Sequence, residues 1–291
     1  MKRKIAMLVC VAGALLMLAG CGGLSEEQRK AAEQAVMPAL GEMAEAKNIR
    51  GGLYFEYSNS SGGKTTTQKI DMDFEEEGRA DNPEKMHIAG EVLQNGNPTA
   101  MEAYMFLNEE GDKRQYVCLG DPNDPNDWNE SAQSGEEGGP MGMANGMLSS
   151  EAYGFTAEKM EKVGDRNAVK LNGYAGVETY SKLLAGTIEG LQAEDLGGAE
   201  IPYTVWLDAE THKILQYEID LKDITGVVLK AALEAQGYSG TEAKINSLLI
   251  RMRIDEINGD RGITIPEAIM HKEERKERTE GIIEKYMNFG G

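Results

Sequence analysis

The sequence predicts an α+β protein whose antiparallel sheet is curled, with helices packed on its concave side. Two observations carry this prediction. Apolar residues alternate with a period of two in most segments between residues 51 and 257, and short turns join successive segments. Amphipathic helical segments flank these strands without forming a regular βαβ alternation, so the strands pair as hairpins. A sheet this long, with helices on one face, should curl and can enclose an apolar cavity.

Composition and charge exclude several classes of protein. The 291 residues include 49 acidic and 30 basic side chains, which give a formal charge of −19. Nucleic acid needs a basic surface, and no basic patch stands out, so we expect no nucleic-acid partner. Three cysteines, at positions 10, 21 and 118, cannot form a disulfide framework.

The first twenty residues have the pattern of an export signal. Lys2, Arg3 and Lys4 precede an apolar run over 5–19, which is too short to span a bilayer core that needs about 20 residues. The run ends in Leu18-Ala19-Gly20-Cys21, which resembles the lipobox of bacterial lipoproteins. We therefore expect a signal peptide over 1–20 and a mature chain that begins at Cys21.

The thiol of Cys21 would carry a diacylglycerol, and the new amino terminus can be acylated as well. Two or three acyl chains anchor a protein stably where one does not. The expected location is the extracytoplasmic face of a bacterial cell membrane. The alternatives are an ordinary secretory signal, or an uncleaved anchor in which Cys21 is incidental.

A helix is predicted from Ser25 to Lys47, followed by a meander of strands. Ser25 and Gln28 form a capping-box pattern, and Pro38 should kink the helix or split it in two. We expect a turn over 58–64, a polar loop over 75–83 and a turn over 94–98. The five predicted strands are 51–57, 66–74, 86–93, 100–107 and 113–119.

The second half of the chain is predicted to mix hairpins and helices. We expect a single domain over 21–266, with a flexible Gly- and Met-rich loop at about 120–150 and a charged surface helix beginning at 267 within the segment 267–291. The remaining predicted elements are a hairpin over 155–171, a helix over 177–191, a hairpin over 203–221 that turns at 208–213, a helix over 224–235, a strand over 247–257 and a last sheet segment at 263–266.

Three motifs resemble the LolA/LppX-like bacterial lipoproteins, particularly members from Gram-positive bacteria. They are the early strand Gly-Leu-Tyr-Phe-Glu-Tyr (52–57), the segment 201–215 with Trp206 and Asp208 before a sharp turn, and the closing Ile-Thr-Ile-Pro (263–266). The resemblance covers roughly 25–266 and implies an incomplete β-barrel wrapped over helices. It also implies a carrier of lipids or lipidated chains. The 120–150 insert and the C-terminal helix depart from the family pattern.

Catalytic and metal-binding patterns are weak. His87, His212 and His271 lie far apart in the sequence, and no nucleophile elbow or phosphate loop is present. The acidic stretch 121–127 offers oxygen ligands, but prolines interrupt it and it lacks the glycine and glutamate of an EF-hand loop. Cys118, in an apolar strand, is expected to be a small buried hydrophobe. We expect no enzyme activity, no cofactor and no metal.

The leading hypothesis is a non-catalytic lipoprotein that binds a hydrophobic or amphiphilic, lipid-like ligand inside its curled sheet. The alternative is a lipid-anchored module that docks another envelope protein and holds no internal ligand. The acidic composition and the 120–150 loop favour the alternative. The residues expected to line a cavity are Leu53, Phe55, Tyr57, Tyr104, Phe106 and Trp206.

Lipidation of Cys21 can be tested directly by mass spectrometry of the membrane fraction. We expect a mature chain that begins at Cys21 and carries a lipid adduct, and we expect Cys21→Ser to leave the membrane fraction because it has no thiol to acylate. Cys118→Ala is the matched control and should stay membrane-bound. A mature wild-type chain without an adduct would contradict the prediction.

Overall fold

The structure is a computed structural model that describes residues 24–79, 82–108, 111–130, 152–176, 200–235, 243–260 and 262–273. The expected signal peptide, Cys21, the predicted helix over 177–191, most of the 120–150 loop and the end of the C-terminal helix lie outside these residues. The described elements are α1 (Glu26–Ala44), β1 (Asn48–Ser61), β2 (Lys64–Arg79), β3 (Asn82–Gln94), β4 (Asn97–Leu107), β5 (Lys113–Cys118), β6 (Trp128–Glu130), β7 (Tyr153–Val163), β8 (Arg166–Ala175), β9 (Ile201–Asp208), β10 (Ile214–Asp220), α2 (Lys222–Ala235) and β11 (Ala243–Ile257).

All the described strands join one antiparallel sheet, in the order β6-β5-β4-β3-β2-β1-β11-β10-β9-β8-β7. Strands that are neighbours in the sheet also follow one another among the described strands, with the exception of β1 and β11. Of these consecutive pairs, only β10 and β11 have a described helix, α2, between them. Within the described strands, no pairing joins β6 to β7, so the sheet has two edges and is not closed into a barrel. The predicted α+β class and the open antiparallel sheet are confirmed.

Two hairpin turns are tighter than the sequence predicts. Gly62 and Gly63 both have positive φ, at 55° and 75°, as do Asn95 and Gly96, at 52° and 83°. Two consecutive positive φ angles make the type I′ turn that matches the twist of paired strands. The strands therefore run right up to two-residue turns, and the longer turns predicted at 58–64 and 94–98 are wrong.

Helix α1 begins at the predicted capping box. The amide of Gln28 donates to the Ser25 hydroxyl at 3.2 Å, and the amide of Ser25 donates to the Gln28 side chain at 2.9 Å. Pro38 lies inside the helix, which continues to Ala44, so the predicted split is wrong. Leu40 and Met43, beyond the proline, are buried against the sheet, and their burial offsets the cost of about 3 kcal/mol for an internal proline.

The polar stretch 75–83, predicted as a loop, is mostly strand. Strand β2 continues through Glu75, Glu76 and Glu77, and contacts from distant parts of the chain stabilise two of these carboxylates. Arg50 pairs with Glu75, Glu76 is only 2% exposed, and Glu77 accepts a hydrogen bond from the amide of Ile263. The segment 263–266 is not a strand, so the prediction that it ends the sheet is also wrong.

The two faces of the sheet differ, and the register assigns each residue to one of them. On one face, here called the helix face, α1 lies against β7 to β10 and α2 lies against β11. The main core is formed here, and its fully buried members include Leu53, Phe74, Leu171, Val205, Tyr217 and Met252, with Val36 and Met43 of α1 and Val228 of α2. Neither described helix is long and apolar enough to cross a membrane.

The opposite face, here called the open face, carries a smaller cluster under the C-terminal segment (residues 262–273). Ile263 and Ile269 of this segment pack on Tyr104, Phe106, Tyr116, Cys118 and Trp128. Tyr116 donates a hydrogen bond to Glu273, and Lys272 donates to the carbonyl of Trp128. The predicted charged surface helix therefore begins with a docked turn, since Ile269 is fully buried. Cys118 is buried, as predicted.

Two glycines give opposite predictions for stability. A Cβ at Gly90 would lie 2.2 Å from the carbonyl oxygen of Asp71 and 2.6 Å from Cα of Met72, so the backbone of β2 must move. We expect Gly90→Ala to lower the free energy of unfolding by about 1–3 kcal/mol. Gly41, at an exposed position in the interior of α1, has nothing within 4 Å of such a Cβ. Gly41→Ala should therefore raise the free energy of unfolding by about 0.5–1 kcal/mol. Urea denaturation measures both, and equal effects would contradict the assigned packing.

Candidate functional site

The apolar helix face extends beyond the two described helices onto β3 and β4. Neither described helix packs over this part of the face, which presents five half-buried side chains, here called the uncovered strip with reference to the described residues alone: Met86, Ile88, Val92, Met101 and Met105. Their face follows from the register, because Phe74 and Ile70 of the helix face pair with Ile88 and Val92. Met86 and Ile88 also pack against the main core, so the strip continues that core towards solvent.

The six side chains predicted to line a cavity lie on two faces of the sheet and in three clusters. Leu53 is 1% exposed inside the main core, whereas Phe55 and Tyr57 are half-buried on the same face. Phe55 pairs with Ile70, which in turn pairs with Val92, so Phe55 lies in one row with the strip.

The other three predicted side chains point to the open face. Tyr104 and Phe106 belong to the cluster under the C-terminal segment. Trp206 donates its indole N–H to Glu161, and the ammonium of Lys170 lies 5.9 Å from its ring centroid. The six residues therefore share no single cavity, and their role in binding a ligand stays a prediction.

The uncovered strip was missed because β4 is apolar on both faces. Met101, Ala103 and Met105 alternate with Tyr104 and Phe106, and either set satisfies the period of two. The choice of the aromatic set as inward-facing was arbitrary at the sequence level. Only the pairing with β3, which aligns Met105 with Met86, assigns the methionines to the helix face.

Two tyrosines place polar atoms deep in the main core. The ring centroids of Tyr203 and Tyr217 lie 5.9 Å apart, and both side chains are at most 1% exposed. The Tyr217 hydroxyl donates to the sulfur of Met252 at 2.9 Å, while the buried Tyr203 hydroxyl has no hydrogen-bond partner among the described residues. Burial raises the pKa of both phenols, so both stay protonated at neutral pH.

A polar pocket lies at the end of the sheet where β1 begins. Its lining includes Arg50, Glu75, Glu76, Glu77 and Glu256. Arg50 spans it, pairing with Glu75 and lying 3.9 Å from Glu256. A pocket lined by carboxylates suits a polar group and not an acyl chain, because burying ionised groups against hydrocarbon is costly.

His87 takes part in a cross-strand polar cluster on the open face. Its Nε2 lies 3.0 Å from Oε1 of Glu102, which also accepts a hydrogen bond from the Tyr104 hydroxyl at 3.1 Å. The rings of His87 and Tyr104 stack with centroids 4.3 Å apart. Within the described residues, no three potential metal ligands from His, Cys, Asp and Glu are grouped to hold an ion.

The acidic stretch 121–127 folds into two successive turns with the same hydrogen bonds. Oδ1 of Asp121 accepts from the backbone and side-chain amides of Asn123, and Oδ1 of Asp124 accepts in the same way from Asn126. These donors lower the pKa of Asp121. Two of the oxygens that could have bound calcium are therefore engaged within the turns themselves.

The sharp turn of the motif at 201–215 is present as predicted. The carboxylate of Asp208 accepts hydrogen bonds from the amides of Glu210 and Thr211, each at 2.9 Å, and His212 adopts a positive φ of 58°. Burial alone would raise the pKa of Asp208, but the two backbone donors hold it below its usual value. This turn connects β9 directly to β10 and so continues the antiparallel sheet.

Comparison with known proteins identifies structural similarity without a sequence match. No protein-family model matches the chain, and no curated protein matches its sequence. The chain is similar in structure to two mycobacterial proteins, the lipoprotein LppX and the protein LprF. For LppX of Mycobacterium tuberculosis the identity is 12% and the TM-score 0.42, over 81% of this chain and 99% of that one. For LprF of Mycobacterium bovis the identity is 12% and the TM-score 0.45, over 85% and 99%.

A third similar structure is a putative outer membrane lipoprotein-sorting protein domain from Vibrio parahaemolyticus. It has 11% identity and a TM-score of 0.25, over 81% of this chain and 94% of that one. The solved structures thus include LppX, one of the proteins that give their name to the group that the sequence motifs resemble.

The unpartnered hydroxyl of Tyr203 predicts an unusual gain of stability on its removal. A buried donor without a partner costs about 1–3 kcal/mol, so we expect Tyr203→Phe to be neutral or to raise the free energy of unfolding by up to about 1 kcal/mol. Tyr217→Phe, which removes the hydrogen bond to Met252, is the matched control and should lower it. Denaturant unfolding of both variants tests this, and a clear loss in Tyr203→Phe would show that its hydroxyl has a partner.

Proposed function

We propose that this protein is an extracytoplasmic lipoprotein, held on a bacterial cell membrane by acyl chains on Cys21, that binds a hydrophobic or amphiphilic ligand. The proposed role is non-catalytic. The proposed binding surface is the uncovered strip together with Phe55 and Tyr57. The observation that supports it is that the strip continues the main core and yet its five side chains are only half-buried.

The chemistry of the strip suits an acyl chain better than a polar ligand. Three of its five side chains are methionines, whose flexible thioethers adapt to ligands of varied shape. Each methylene that a ligand buries there contributes about 0.8 kcal/mol. Gly90, which pairs with Met72 on one side and Met101 on the other, adds no side chain to this face.

The alternative is a lipid-anchored module that docks another envelope protein. The net charge of −19 and the exposed acidic turns at 121–127 support it, because such a surface would complement a basic partner. The two functions differ in what should occupy the strip: an acyl chain in the first and no lipid in the second.

Two adjacent residues of β3 provide a matched test of lipid binding. Val92 lies on the helix face and Leu93 on the open face, and both are half-buried. We expect wild-type protein to bind a fluorescent C16 fatty acid, and Val92→Glu to weaken this binding about ten-fold or more because a carboxylate beside the acyl chain loses solvation. Leu93→Glu, with the same change of charge, should bind like the wild type. Fluorescence titration of the purified mature protein measures all three affinities.

Native mass spectrometry of the gently purified wild type completes the experiment. A co-purifying lipid is the expected result. If the wild type carries no lipid and takes up no fatty acid, ligand binding is refuted, and a stoichiometric protein partner in cellular crosslinking would then support the alternative. If both glutamate variants weaken binding equally, the ligand does not bind on the uncovered strip.

A further inference from the structure

Helix α1 has a defined direction along the sheet. Its second half lies near the β9–β10 turn, since the ammonium of Lys213 is 3.6 Å from the carboxylate of Glu42. Its first turns lie beside β7, where Arg29 donates a hydrogen bond to the carbonyl of Ala157 and Glu33 accepts one from the amide of Ala157 at 3.0 Å. The helix therefore starts at the end of the sheet where β7 and β9 begin and β8 ends, here called the α1-start end.

Two exposed tyrosines lie at this same end. Tyr153 begins β7 and pairs with Tyr174, which lies one residue before the end of β8. Their ring centroids are 6.1 Å apart, and they are 47% and 39% exposed, among the exposed large hydrophobic side chains that the structure describes. The Tyr153 hydroxyl lies 3.5 Å from the Glu200 carboxylate, which is long for a hydrogen bond, so this contact does not hold the two tyrosines strongly.

The chain between the expected anchor and α1 is short. Leu24 packs against the main core, as do Ala152 and Phe155 on either side of the tyrosine-bearing start of β7. Cys21 precedes Leu24 by three residues, which can span at most about 10 Å when extended. Acyl chains on Cys21 would therefore hold the α1-start end close to the bilayer surface.

We propose that the exposed pair Tyr153 and Tyr174 rests in the headgroup region of the bilayer and fixes the orientation of the protein on the membrane. The proposal rests on the anchoring at Cys21 proposed above. The occupant of this surface is the zwitterionic lipid interface. Tyrosine suits that interface because its ring is apolar and its hydroxyl is polar, and the strongly acidic chain would be repelled by anionic lipid.

The orientation can be measured with the full lipidated chain in phosphatidylcholine vesicles whose acyl chains carry bromine, which quenches tryptophan. The reporters are Tyr153→Trp and, as a second variant, Tyr174→Trp. Leu107→Trp is the matched control. Leu107 is 40% exposed and is the last residue of β4, next to the turn into β5, at the end of the sheet opposite to the α1-start end. The emission of the native Trp128 and Trp206, measured in the wild type, is subtracted.

We expect bromine to reduce the reporter emission at position 153 or 174 about two-fold, as for tryptophan at a membrane interface, and to leave the control nearly unchanged. If the protein floats with the vesicles but neither reporter is quenched more than the control, the orientation is refuted and the anchor stands. If the protein does not float, both the anchor and this inference fail. Crosslinking of position 153 to another protein in cells, and not to lipid, would also contradict the proposed orientation.

Discussion

The pairing of β1 with β11 is the contact on which the rest of the structure depends. It joins the meander β1–β6 to the meander β7–β11 along more than ten residues of each strand. At its centre Leu53 lies between Met72 and Met252, and all three are at most 2% exposed. Without it each meander would expose an apolar face and an unpaired edge. Because the partners come from opposite ends of the described chain, neither half can complete the helix face alone.

Alternation and turn residues predicted most of this architecture. The strands β1 to β5, the hairpin around Asp208, the capped start of α1 and the helix α2 all follow from local sequence, whereas β6 lies in the stretch predicted as a flexible loop. Helix α1 shows where local signals fail, because the proline at position 38 is tolerated once Leu40 and Met43 are buried on the sheet. That burial depends on strands from the other half of the chain, which a local pattern does not contain.

Two further errors have the same origin in long-range contacts. Glu75–Glu77 look like a loop because carboxylates disfavour a buried strand, yet Arg50 and the amide of Ile263 stabilise two of them there. In β4 both faces are apolar because one continues the strip of Met86 and Ile88 beside the main core and the other faces the C-terminal segment. A strand that is apolar on both faces carries no alternation that could identify its inward face, so the aromatic residues could not be distinguished from the methionines of the uncovered strip.

The proposed ligand surface and the proposed orientation fit one geometry. Val92 lies close to the Asn95-Gly96 turn, and this turn is at the same end of the sheet as Ser61, the start of β11 and the end of β10. That is the α1-start end, since β9 begins there too. Held against the bilayer at this end, the strip runs from the lipid interface outward along β3 and β4. An acyl chain leaving the membrane would then enter along the strands on the apolar face, and would not have to cross the ion pairs of Arg251 and Arg253 on the open face.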